Sequence, residues 1–167
     1  KNLFIFGTSF GFGFYLSGIH WITYSLTFDE SLKIFIPLGL IFIPLFLSLF
    51  YSLIILLIGP FLSLNFQSIF LFSGVIAISD FIRSKILTGF PWNLWAYSFS
   101  GSTEIIQVTN KLGLFAFNLI AITVFMIPSI LFLKEKVIKK ILSLIFSLFL
   151  IFSFYIYGNH SINKNKQ

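Results

Sequence analysis

Apolar residues in this chain come in long runs, and polar residues collect in a few gaps between them. The first run covers about residues 3–24 and ends in His20, Trp21 and Tyr24, side chains that favour the membrane–water interface. A polar turn at residues 27–33 separates it from a second run at residues 34–58, closed by Gly59-Pro60. Further runs follow at residues 67–81, 112–133 and 141–157. A membrane-crossing helix needs roughly 17–25 apolar residues. The pattern therefore predicts an all-α fold, a polytopic membrane helical bundle of about five transmembrane helices over residues 1–157. Residues 84–111 are too polar and broken to cross and read as an interfacial aromatic loop between the third and fourth helices. Residues 158–167 read as a hydrophilic tail.

Features inside the runs refine this picture. Gly7, Gly11 and Gly18, with Phe14 between them, recur at i, i+4, i+7 and i+11, one face of a helix. A glycine seam of this kind lets a second helix approach closely. Gly11-Phe12-Gly13 lies in mid-run without the third glycine of a nucleotide-binding loop, so helix packing is its expected role. Pro37 stands near the start of the second run, where a missing N–H is tolerated, whereas Pro44 is interior and predicts a kink.

Composition bears on class and compartment. The chain is 57% hydrophobic and 10% charged, with a mean hydropathy of +1.00, against roughly 25% charged residues in soluble domains. The net charge of +6 is read as topogenic rather than nucleic-acid-binding. Four of the seven residues at 134–140 are lysines, and short cationic loops stay in the cytoplasm. That places loop 84–111 and the tail outside, although Arg83, Lys85 and Lys111 on the outer side weigh against it. The 25 phenylalanines are expected to face lipid and neighbouring helices. Cysteine is absent, which excludes disulfides, thiolate metal ligation and a thiol nucleophile within the chain. His20 and His160 lack metal-ligand spacing, so neither a metal nor a cofactor is expected. Lys1 stands where an initiator methionine would, which predicts that the chain begins inside a longer protein; no signal peptide is assigned.

Candidate chemistry concentrates in residues 80–98, DFIRSKILTGFPWNLWAYS. Asp80 and Arg83 are spaced i, i+3, right for a pair on one helix face. Two roles are open to them: an ion pair that closes the helix end, or a site where the planar Arg83 fork also meets a phosphate or carboxylate headgroup. Gly89-Phe90-Pro91-Trp92 predicts an aromatic turn, with Trp92, Trp95 and Tyr97 in the headgroup layer as a plain aromatic belt or a lipid-binding wall. Ser98, Ser100, Ser102 and Thr103 supply hydroxyls, but no neighbouring histidine could activate them. The sequon at Asn159-His160-Ser161 is the kind that arises by chance.

Asp80-Phe81-Ile82-Arg83, Leu87-Thr88-Gly89-Phe90-Pro91-Trp92 and Tyr97-Ser98 together resemble the bacterial apolipoprotein N-acyltransferases. The glycine-rich first helix, ending in Gly18-Ile19-His20-Trp21, resembles the corresponding helix of that family, and Gln107 and Gly113 fall at its next helix entry. The likeness extends over about residues 7–133. It departs from the family at Asp80, where glutamate is common, and at Ser84, Phe99 and His20. The resemblance implies a bacterial inner-membrane bundle carrying an extracytoplasmic nitrilase-like domain with a Glu-Lys-Cys triad. Such an enzyme moves an acyl chain from a membrane phospholipid to a lipoprotein substrate, at the α-amino group of its lipidated N-terminal cysteine. No triad residue carries over to this sequence, so the chain alone is expected to be inactive. Arg83, Gly89, Phe90, Pro91, Trp92 and Tyr97 carry over as lipid-facing surface, and Gly7, Gly11, Gly18, Trp21 and Asp80 as structural positions. The expected partners are membrane phospholipid, the lipoprotein and a nitrilase-like catalytic domain, in the same chain beyond Gln167 or separate. A non-catalytic polytopic membrane protein, such as a small transporter or an assembly subunit, is the alternative reading. The sequence carries no inverted repeat or mid-run charge pair to mark a transport path.

Overall fold

A computed structural model of the protein describes residues 2–86 and 93–164. These residues are helical or irregular, with no strand among them. Four segments among them are long and apolar enough to cross a membrane: Asn2–Thr27, Glu30–Phe61, Phe66–Arg83 and Val137–Lys164. Their outward surfaces are Phe, Leu and Ile, a coat suited to lipid and not to water. The protein is an all-α membrane protein, and its described residues divide into two compact units, residues 2–61 with Asn93, and residues 62–86 with 94–164.

The first unit is a helical hairpin. Helix α1 (Asn2–Ile19) gives way to a 3-10 segment, His20–Thr27, in which Thr23, Ser25 and Thr27 each hydrogen-bond a carbonyl three residues back. Asp29 caps the next 3-10 segment, Glu30–Phe35, by accepting from the Ser31 hydroxyl and N–H, which hold its carboxyl below the usual range. Helix α2 (Ile36–Ile58) runs through Pro44 without interruption. A Cβ added at Gly7 would lie 2.5 Å from the Ser52 Cα, and one at Gly11 would lie 2.9 Å from the Ser48 Cα. Ser48 and Ser52 are fully buried, and the Thr8 and Ser52 hydroxyls share a 2.7 Å hydrogen bond across the pair. Gly7-xxx-Gly11 thus meets Ser48-xxx-Ser52, small residues on both helices.

The second unit begins with α3 (Phe66–Arg83), capped by the Asn65 side chain on the Ser68 N–H at 3.0 Å. Residues 94–112 form three short pieces: a 3-10 turn Trp95–Phe99, α4 (Thr103–Ile106) and α5 (Thr109–Leu112). Gly113, at φ +79°, makes the turn into α6 (Leu114–Phe125), a backbone conformation that favours glycine. The apolar run at 112–133, expected as one crossing helix, is split. Helix α6 ends at Phe125, and a 3-10 segment, Ile127–Phe132, takes over at Pro128, which has no N–H to continue the ladder. Helix α7 (Val137–Lys164) is longer than the run at 141–157. It continues through Gly158 into residues read as tail, where Asn163 hydrogen-bonds Asn159 one turn back.

Gly158 explains how that last stretch is held. A Cβ at this position would overlap the carbonyl oxygen of Glu104, so α7 rests directly on the backbone of α4. Phe154 and Tyr157 on the same stretch of α7 pack against the cluster of Leu94, Ala96, Val108 and Phe117. Gly158→Leu is expected to destabilise this contact by about 1–3 kcal/mol, the usual cost of overpacking. Thermal unfolding in detergent reads the loss. Gly101→Leu, with nothing within 4 Å of an added Cβ, is the control that should leave the midpoint in place.

Candidate functional site

The polar centre of the second unit is built from three elements that are distant in sequence. Asp80 and Arg83 lie in the last turn of α3, and Asn118 lies in the middle of α6. All three are buried, at 3%, 2% and 0% exposure. The Arg83 guanidinium Nη2 donates to Asp80 Oδ1 at 3.0 Å. The Asn118 amide Nδ2 donates to Asp80 Oδ2 at 2.9 Å, and Asn118 Oδ1 accepts from the Ala96 N–H at 3.0 Å. Both carboxylate oxygens and both ends of the amide are therefore engaged. The connection runs from a buried cation through a carboxylate and an amide to the backbone of the 3-10 turn Trp95–Phe99.

The sequence leads to this arrangement locally. Asp80 and Arg83 share a helix face by their i, i+3 spacing. Arg83 sits at the C-terminal end of α3, where a cation is favoured by the helix dipole. Asn118 is a lone amide in the apolar run LFAFNLIAITVF. Such a group in a lipid-embedded helix is costly unless it finds partners, so its burial calls for the two hydrogen bonds it makes. The turn it holds is also packed by rings: Trp95 and Phe99 each meet Phe125, with centroids 5.6 Å apart in both pairs, and Phe99 meets Phe117 at 5.6 Å.

The expected site residues fall into separate places. Arg83 lies inside the protein rather than on a lipid-facing surface, because a guanidinium at this depth is stabilised by the Asp80 carboxylate. Tyr97 is 41% exposed on the turn that Asn118 holds. Gly89, Phe90, Pro91 and Trp92 lie outside the described residues. In the first unit, Trp21 hydrogen-bonds the Gly18 carbonyl at 3.1 Å. Gly18 lies against the Asn93 side chain, which also donates to the Phe14 carbonyl at 3.3 Å, with the Asn93 backbone at φ +59°. Asn118 and Asn93 both escaped the reading of the sequence. For Asn118 a signal was present, an amide isolated in an apolar run; for Asn93 none was.

The chemistry open to this centre is positional. Its carboxylate is fully hydrogen-bonded, and no group of His, Cys, Asp and Glu among the described residues could hold a metal. The Ser102 hydroxyl caps α4 and donates to Glu104. The Glu104 N–H and that hydroxyl hold the Glu104 carboxyl below its ordinary range. What the centre can do is fix the backbone of the turn carrying Tyr97.

The family model described as the apolipoprotein N-acyltransferase N-terminal domain matches residues 1–127. Among individual relatives, the apolipoprotein N-acyltransferase of Brucella melitensis is 32% identical over 126 residues, 75% of this chain and 24% of the relative. That of Rhizobium etli is 30% identical over 128 residues, 76% of this chain and 24% of the relative. That of Rhodopseudomonas palustris is 28% identical over 126 residues, 75% and 24% of the two chains. The chain thus matches about a quarter of the length of these curated relatives. No solved structure matches it.

Proposed function

Since the chain belongs to the apolipoprotein N-acyltransferase family through its N-terminal domain, we propose that it is the membrane part of an enzyme that takes an acyl chain from a phospholipid and transfers it to the α-amino group of the lipidated N-terminal cysteine of a bacterial lipoprotein. The observation that carries this reading is the buried Asp80–Asn118–Ala96 connection. It gives the aromatic segment beside the family-like residues a fixed backbone. A fixed, aromatic, amphipathic segment suits the holding of a lipid at the membrane surface.

The chain has no cysteine. A nucleophilic thiol for the acyl-thioester, with the glutamate base and the lysine that serve it, comes from a nitrilase-like domain. The role of this chain is to present lipid to that domain, with Tyr97, on the turn that Asn118 holds, and the family-like Trp92 each as an aromatic contact to lipid. The lysine-rich turn at 134–140 supports an inner-membrane orientation with residues 84–111 and the C-terminal end extracytoplasmic.

Trp92→Ala and Tyr97→Ala in a full-length enzyme carrying this domain are expected to lower acyl transfer to a lipidated peptide by about tenfold or more, equivalent to ~1.4 kcal/mol at the barrier. The loss should lie in the KM for phospholipid more than in kcat, with the unfolding midpoint little changed. Undiminished transfer by both folded variants would overturn this role and leave the non-catalytic reading.

A further inference from the structure

The half of α3 away from the Asp80–Arg83 centre borders a second feature. A groove of about 690 Å³ lies between α3, α6, the 3-10 segment Ile127–Phe132 and α7, with Ile69, Phe70, Gly74, Thr123, Ile127 and Phe146 among its walls. That volume is in the ~300–1,000 Å³ range of small-molecule sites. The lining is almost wholly apolar, and its hydroxyls are spent on the helix backbone: Thr123 donates to the Leu119 carbonyl and Ser143 to the Lys139 carbonyl. Along α3 the lining extends from Phe66 to Gly74, and along α7 from Leu142 to Leu150. Eight steps at ~1.5 Å each give about 12 Å, close to the ~15 Å of hydrocarbon in one leaflet.

One end of the groove borders the lysine-rich turn at residues 134–140. The Lys134 N–H donates to the Leu64 carbonyl at 2.8 Å, which ties the turn at residues 134–140 to the N-terminal end of α3. Ile69, Ile130 and Leu133 pack together there with Phe66. Within this turn Lys139 pairs with Glu135, and Lys140 donates to the Leu131 carbonyl. Lys134 and Lys136 are exposed and make no ion pair among the described residues. An apolar slot nearly one leaflet long, with a lysine-rich turn beside one end, is complementary in shape and charge to one tail and the headgroup of an anionic lipid.

We propose that this groove is a binding site for an anionic phospholipid, with one acyl chain between α3, α6 and α7 and the headgroup phosphate at Lys134 and Lys136. Basic pockets between membrane helices bind such headgroups through this combination of charge and apolar area. The site lies at the opposite end of α3 from the Asp80–Arg83 centre and does not depend on the acyl-transfer reading. Gly74 supplies a direct way to fill it, because an added Cβ there meets nothing within 4 Å.

The test uses the whole chain in phosphatidylcholine vesicles, with Phe146→Trp as a reporter on the groove wall and the unsubstituted chain as background. Brominated phosphatidylglycerol should quench the added tryptophan at about a thirtyfold lower membrane fraction than brominated phosphatidylcholine, the scale set by two lysines near a membrane surface at about 1 kcal/mol each. Lys134→Gln with Lys136→Gln should abolish that preference. Gly74→Leu should relieve quenching by either lipid while circular dichroism stays unchanged. Equal quenching by the two lipids, or a preference that survives loss of both lysines, would overturn the proposal. So would protection from both lipids together with a cross-linked dimer, which would put a second copy in the groove.

Discussion

Arg83→Met, with Asp80 left in place, is expected to destabilise the second unit by about 3–5 kcal/mol, the cost of removing one partner from a buried ion pair. The size follows from burial. Asp80 and Arg83 are 3% and 2% exposed, so a carboxylate deprived of its guanidinium has no water to turn to. The Asn118 amide, at 2.9 Å from Asp80 Oδ2, would be its remaining side-chain partner among the described hydrogen bonds. Asp80→Leu combined with Arg83→Met should recover the greater part of the loss, because no charge then remains buried. Asn118→Leu should cost about 1–3 kcal/mol, since it leaves the Ala96 N–H without its acceptor. Unfolding midpoints in detergent for these variants give the answer. A double variant no more stable than Arg83→Met would show that the residues act through something other than their mutual charge.

The same centre shows how far the sequence could be read. The apolar runs and their polar gaps locate α1, α2 and α3 to within a few residues, because length and hydropathy decide what can lie in lipid. The spacing of Asp80 and Arg83 gives their pairing on one helix face. The third member, Asn118, is 38 residues from Asp80, and nothing in local periodicity connects them; only the packing of α6 on α3 does. The split of the run at 112–133 had its cause in plain view at Pro128, but hydropathy alone passes over a proline flanked by isoleucine and serine. The length of α7 was hidden for a different reason. Residues 158–164 are polar enough to read as tail, and their helical state is seen together with the contact between Gly158 and the α4 backbone.

Glycine contacts of this kind also give the largest effect expected in the first unit. In lipid there is no hydrophobic force between helices, so α1 and α2 depend on close approach and on hydrogen bonds across the contact. Gly7→Leu would put a Cβ 2.5 Å from the Ser52 Cα, and the same change at Gly11 would put one 2.9 Å from the Ser48 Cα. Neither obstacle is the flexible end of a side chain, so the helices must separate. Separation also breaks the hydrogen bond between the Thr8 and Ser52 hydroxyls. The double change Gly7→Leu, Gly11→Leu is expected to remove the pairing, at a cost of about 3 kcal/mol or more from two overpacked positions. Because the chain has no cysteine, the pairing can be read directly. Thr8→Cys with Ser52→Cys replaces two hydroxyls that are 2.7 Å apart, and mild oxidation should join them in an otherwise unaltered chain. Adding the two leucines should suppress the cross-link. Gly13→Leu should not, because nothing lies within 4 Å of a Cβ at that position. Efficient cross-linking in the presence of both leucines would mean that α1 and α2 are held by their flanking rings, such as Tyr15 against Tyr51, and that the glycine face is dispensable.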